Sequence, residues 1–124
     1  MQEMNKKILI VEDEDNLLAI LKTKFEEVGF LILIAEDGEQ GIAVAQKGAP
    51  DLILSDILIP KIDGVNMAIK IRESGNKVPI VFLTNTKDSD YIGKMGELGF
   101  EYLIKSEHQI DEIISRVKKI LDIK

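Results

Sequence analysis

Pro50-Asp51-Leu52-Ile53-Leu54-Ser55-Asp56-Ile57-Leu58-Ile59-Pro60-Lys61-Ile62-Asp63-Gly64 is the stretch whose reading decides the fold. Leu52–Ser55 is a short apolar run of the length and composition of a buried strand rather than a helix. The run ends on Asp56, and the residues beyond it, Ile57–Ile59, are apolar again, which argues against a simple solvated loop. Pro60, with its fixed φ, and the Asp63-Gly64 turn signal then lead into a helical stretch. A strand that ends on a carboxylate and passes through a shaped loop into a helix is the repeating unit of a parallel sheet.

The same unit recurs on both sides. Lys7–Val11 is strand-like and ends on Glu12-Asp13; Asn16–Val28 follows, with Leu17, Leu21, Phe25 and Val28 at helical spacing and Gly29 where a helix C-cap is expected. Phe30–Ala35 is a second strand, and Gly38–Lys47 a second helix with Ile42 and Ala45 as inward candidates. Leu52–Asp56 leads to the third helix, Val65–Ser74. Pro79–Thr84 leads to a weaker fourth, Ser89–Leu98, in which Gly93 and Gly96 each cost up to about 1 kcal/mol relative to alanine. Tyr102–Lys105 is a fifth strand ending on Lys105, and Asp111–Ile123 a last helix with Ile113, Ile114, Val117, Ile120 and Leu121 on its apolar face. Five such units, joined by right-handed crossovers, predict an α/β, doubly wound, flavodoxin-like (βα)5 fold with strand order 2-1-3-4-5.

The 124 residues suffice for one domain with a real core, and no linker or change of composition divides them. A single domain over 1–124, without an attached output module, is the expectation. With 45% hydrophobic and 31% charged residues the chain is globular rather than disordered. A net charge of −6 argues against direct nucleic-acid binding, which needs a basic stripe. The absence of cysteine excludes disulfides, thiol catalysis and thiolate metal sites. No apolar stretch approaches the roughly 20 residues that span a bilayer, and Met1–Lys7 has no apolar signal core, so a cytoplasmic protein is expected.

In a doubly wound sheet, ligands bind at the carboxyl ends of the strands. Glu12, Asp13, Asp56 and Lys105 all fall there, and gathering three carboxylates and an ammonium is costly without a purpose. A hard cation held beside a reactive aspartate fits that purpose. Blander readings exist for each residue: Glu12 and Asp13 as helix N-terminal charge, which Glu14 and Asp15 can supply, and Lys105 as a surface lysine.

Ile8–Glu14, Pro50–Gly64, Thr84 and Lys105 together, in order and spacing, resemble the motifs of response-regulator receiver domains, the CheY-like family of two-component systems. The resemblance covers essentially the whole chain. It implies Asp56 as phosphoacceptor, taking a phosphoryl group from a partner histidine kinase or histidine phosphotransfer protein and losing it slowly by hydrolysis. It implies Mg2+ or Mn2+, with Asp13 and Asp56 as ligands, Glu12 acting through water and the Leu58 carbonyl as backbone ligand. Lys105 would pair with Asp56 and then with the phosphoryl oxygens. Thr84 and Tyr102 would act as the switch, read out by a downstream protein on the face of the fourth helix, fifth strand and fifth helix. A monomer or a phosphorylation-dependent dimer is expected. On the first helix, Asp15, Leu18, Ala19 and Lys22 share a face beside the acidic pair, with Leu18 off the apolar stripe and therefore exposed; the resemblance implies partner docking there.

Two residues depart from the family pattern. Ser106 stands where proline usually follows the lysine, often through a cis peptide, so either Lys105-Ser106 is trans with a reshaped loop or strain is tolerated. Asn85 stands where a small residue usually follows the threonine and is expected to alter access and phosphoryl lifetime. These departures keep alive a second reading, a receiver-like interaction module that needs no phosphate. A flavin binder fits poorly, since Glu12–Asp15 offers acid where a phosphate wants backbone donors and hydroxyls. An aspartate-nucleophile phosphohydrolase also fits poorly, because the position two beyond Asp56 is Leu58. His108, in the loop before the last helix, is no evident donor.

Overall fold

The computed structural model of the chain describes residues 5–123; Met1–Met4 and Lys124, the ends of the expected domain, lie outside the described residues. Strands β1 (Lys7–Val11), β2 (Leu31–Ala35), β3 (Leu52–Ser55), β4 (Ile80–Thr84) and β5 (Glu101–Ile104) alternate with helices α1 (Asp15–Glu27), α2 (Gly38–Gly48), α3 (Gly64–Glu73), α4 (Ser89–Leu98) and α5 (Ile110–Ile120). All pairings are parallel, in the order β2-β1-β3-β4-β5, as the sequence predicts. The predicted ends agree with the observed ones to within one residue, except that α5, expected to run to Ile123, ends at Ile120. Lys105 leaves the strand and opens a short 3-10 turn, Lys105–Glu107.

Alternation along the strands divides the core in two. Leu9, Val11, Ile53 and Phe82 pack against α2, α3 and α4, whereas Ile8, Ile10, Leu54, Val81 and Leu83 pack against α1 and α5. A sheet covered on both faces explains why the interiors of its central strands are apolar without alternation. On α5 the predicted stripe is present, with Ile113, Ile114 and Val117 buried and Ile120 and Leu121 half-buried at its end. The α1 stripe needs correction. Leu18, expected on the exposed face, is only 7% exposed and joins Leu21 and Phe25 in the core, while Val28, placed on the inward stripe, is exposed. The helix begins at Asp15, and its inward line runs 18, 21, 25, a spacing as helical as the predicted one. No helix among the described residues is long and apolar enough to cross a membrane.

Candidate phosphoacceptor site

Sheet register puts the charged residues together. Val11 pairs with Ser55, so Glu12 and Asp56 stand side by side one residue past the strands. Backbone hydrogen bonds extend the ladder to both: Glu12 donates its N–H to the Ala35 carbonyl at 3.0 Å, and Asp56 donates to the Val11 carbonyl at 3.1 Å. Thr84 pairs with Ile104, which brings Lys105 to the same edge from two strands away.

The Lys105 ammonium lies 2.7 Å from Asp56 Oδ2 and 2.9 Å from Glu12 Oε1. The second oxygens are also held. Asp56 Oδ1 accepts from the Ile57 N–H at 2.7 Å and the Leu58 N–H at 3.4 Å, and Glu12 Oε2 accepts from the Glu14 N–H at 3.1 Å. Burial pushes the Glu12 carboxyl, 3% exposed, above the usual carboxylate range, against the pull of Lys105. For Lys105 burial lowers the amine, but hydrogen bonds from the ammonium to Asp56 and Glu12 outweigh it and raise the pKa above the ordinary value. The direction for the pair is clear: an ammonium clamped between two carboxylates stays charged.

Asp13 behaves differently from its neighbour. It is exposed, and no hydrogen bond or ion pair among the described residues engages it. Nor do three acidic side chains converge tightly among the described residues. The expected cluster is thus two carboxylates bridged by an ammonium, with Asp13 beside it. Thr84 is fully buried, its Oγ1 accepting from the Thr86 N–H at 3.2 Å. Tyr102, opposite Phe82 on the edge strand, is 37% exposed. Leu58 is exposed on the rim. Asp15 and Ala19 are exposed and Lys22 half-buried on α1; with Leu18 in the core, the four residues do not form one open face.

Three further residues shape the site: Gly64 is readable in the sequence only as a turn signal, and Asp37 and Gly38 were not picked out. Gly64 lets α3 start against the aspartate: a Cβ there would lie 2.3 Å from the Asp56 carbonyl oxygen and 2.9 Å from Ile57 Cα. The Gly64 N–H donates to the Ile57 carbonyl at 2.7 Å, closing the loop. Buried Asp37 caps α2 by accepting from the Gln40 N–H at 2.8 Å, and the adjacent Gly38 N–H holds the Pro60 carbonyl at 3.1 Å. Asp37-x-x-Gln40 is a readable cap signal; the packing of Gly38 on the loop after Asp56 is not local and has none. The two departures from the family pattern meet each other, since the Ser106 N–H donates to Asn85 Oδ1 at 2.9 Å. No cis peptide bond occurs among the described residues.

Residues 8–118 match the response regulator receiver domain. Among curated proteins, the chain is 36% identical to the alkaline phosphatase synthesis transcriptional regulatory protein PhoP of Bacillus subtilis, over 95% of this chain and 49% of that protein. It is 32% identical to sporulation initiation phosphotransferase F of the same organism, over 98% of both. Among solved structures, the Francisella response regulator 1452 receiver domain superposes with a TM-score of 0.82 at 29% identity, covering 92% of this chain and 94% of that one. The chain spans about half the length of most of the curated relatives compared, including all those named as transcriptional regulators. This chain belongs to the family of response regulator receiver domains.

Proposed function

We propose that Asp56 accepts a phosphoryl group from a partner histidine kinase or histidine phosphotransfer protein, and that this transfer switches protein binding. The observation that carries the reading is the Lys105 ammonium bridging Asp56 and Glu12 at the strand ends. An Asp56 carboxylate oxygen attacks the phosphorus of a phosphohistidine; the new O–P bond forms as the N–P bond breaks, and the electron pair leaves on the imidazole nitrogen, which takes up a proton. Two backbone N–H groups fix the orientation of the carboxylate, and Lys105 offers a positive charge that can follow the charge onto the phosphoryl oxygens.

A hard divalent cation fits the donor set. Mg2+ needs only one or two carboxylates and a phosphate oxygen beside its waters, and the residues here supply oxygen alone. Asp13 and Asp56 would hold it directly with the Leu58 carbonyl. Glu12, more deeply buried than Asp56, would act through water. When bound, the cation supplies charge to the phosphoryl oxygens. Thr84 would turn its hydroxyl to the phosphoryl group, and Tyr102 would move inward, altering the α4–β5–α5 face for a downstream protein. The match over 98% of both chains to sporulation initiation phosphotransferase F supports a receiver that works as a stand-alone unit.

Intact-protein mass after incubation with acetyl phosphate tests the reading. One phosphoryl adduct is expected with Mg2+, and none in chelator or in Asp56→Asn. No adduct in the wild type, together with no capture of beryllofluoride, would leave an interaction module that needs no phosphate.

A further inference from the structure

The Asn85–Ser106 hydrogen bond joins the two loops that flank the site. Asn85 directly follows the buried Thr84 at the end of β4, and Ser106 directly follows Lys105 at the end of β5. Among the hydrogen bonds described between side chains and distant backbone, this one alone ties the β4–α4 loop to the turn that carries the ammonium. Ser106 suits the task by having an N–H. Lys105 stands in a 3-10 turn rather than in the extended strand, and a proline at 106 would both remove the donor and disfavour that conformation at Lys105. From this turn the ammonium reaches Asp56 across β4, which lies between β3 and β5 in the sheet.

We propose that Asn85 is a positioning residue: through the Ser106 N–H it holds the Lys105 turn so that the ammonium sits on Asp56 for phosphoryl transfer. The inference rests on the phosphoacceptor reading above. Asn85 touches neither the carboxylate nor the lysine in the contacts described, so its effect passes through the backbone of residue 106. An amide at this position is a partner for the neighbouring loop before it is an obstacle to substrate. The bond is exposed to solvent, which makes its contribution graded rather than absolute.

The test is a double-mutant cycle on the rate of adduct formation from acetyl phosphate with Mg2+, using Asn85→Ala, Lys105→Ala and the pair. Asn85→Ala should slow the wild-type reaction by roughly three- to tenfold, the loss expected for one net hydrogen bond. In the Lys105→Ala background the same substitution should change nothing, because the group it positions is gone. Backbone amide exchange shows whether the bond itself exists: the Ser106 amide should exchange faster in Asn85→Ala while core amides keep their protection. An equal slowing in both backgrounds, an unchanged rate, or unchanged Ser106 exchange overturns the proposal. A faster rate in Asn85→Ala also overturns it and makes the amide a gate. A wild type that forms no adduct is a different result: it removes the phosphoacceptor reading, while Ser106 exchange still reports the hydrogen bond.

Discussion

Lys105 neutralises two carboxylates that the sheet forces together, and removing it exposes the cost of that arrangement. Lys105→Met keeps the stem but leaves Glu12 and Asp56 adjacent without a counter-charge. We expect a loss of about 1–3 kcal/mol at neutral pH in chelator-treated protein, measured by urea unfolding. The pH dependence follows from the raised amine. Its stabilisation is complete below the ordinary value of 10.5 and disappears as pH rises through the higher folded value. From neutral pH the gap between wild type and variant should therefore hold steady up to that point and close beyond it; a gap that persists above it would place the stabilisation elsewhere. At this scale the charges were legible and their partners only partly so. A charged residue at the end of an apolar run announces itself, but which of the adjacent pair Glu12 and Asp13 turns inward depends on strand pleat and on a lysine 93 positions later. The two departures at 85 and 106 were visible singly; that one satisfies the other needed the fold.

Helices and loops respond to substitution according to what their glycines meet. Gly64 opens α3 against the Asp56 backbone, and the atoms in the way are main-chain, so Gly64→Ala should cost about 1–3 kcal/mol or more and displace the loop after Asp56. In α4, by contrast, a Cβ on Gly96 meets nothing within 4 Å. Gly96→Ala should stabilise the protein by about 0.5–1 kcal/mol, by restricting the unfolded chain and favouring the helix. Thermal unfolding of the two variants reads both signs; two losses would mean that α4 needs its glycine for a reason other than helix propensity. The elements themselves were largely legible because strand and helix periods alternate cleanly along the chain. The inward line of α1 was not, since two overlapping stripes of apolar residues satisfy helical spacing and only packing against β1 and α5 chooses between them. Leu17 and Leu18 are adjacent leucines; the fold buries the second more deeply.

The whole molecule is a sheet with a separate apolar layer on each face, and strands such as β4 send alternate side chains into both. The layers should therefore fail together. Leu18→Ala, which hollows the α1–α5 side, should cost about 2–5 kcal/mol, and probes placed on the α2–α3 side should report the same lowered midpoint as probes near α1. Two separated midpoints would show that each layer holds itself. Strand order was readable from the run of βα units because right-handed crossovers leave few ways to build a sheet of this size. The same order has a consequence for the growing chain. Glu12 and Asp56 can meet once β1 and β3 pair, yet the lysine between them follows Asp56 by 49 residues. At about 5–20 residues per second, a ribosome needs roughly 2–10 s to deliver it. Were β1 and β3 to pair within that interval, Glu12 and Asp56 would meet before the lysine that bridges them in the finished fold, and a cellular cation could stand in for it.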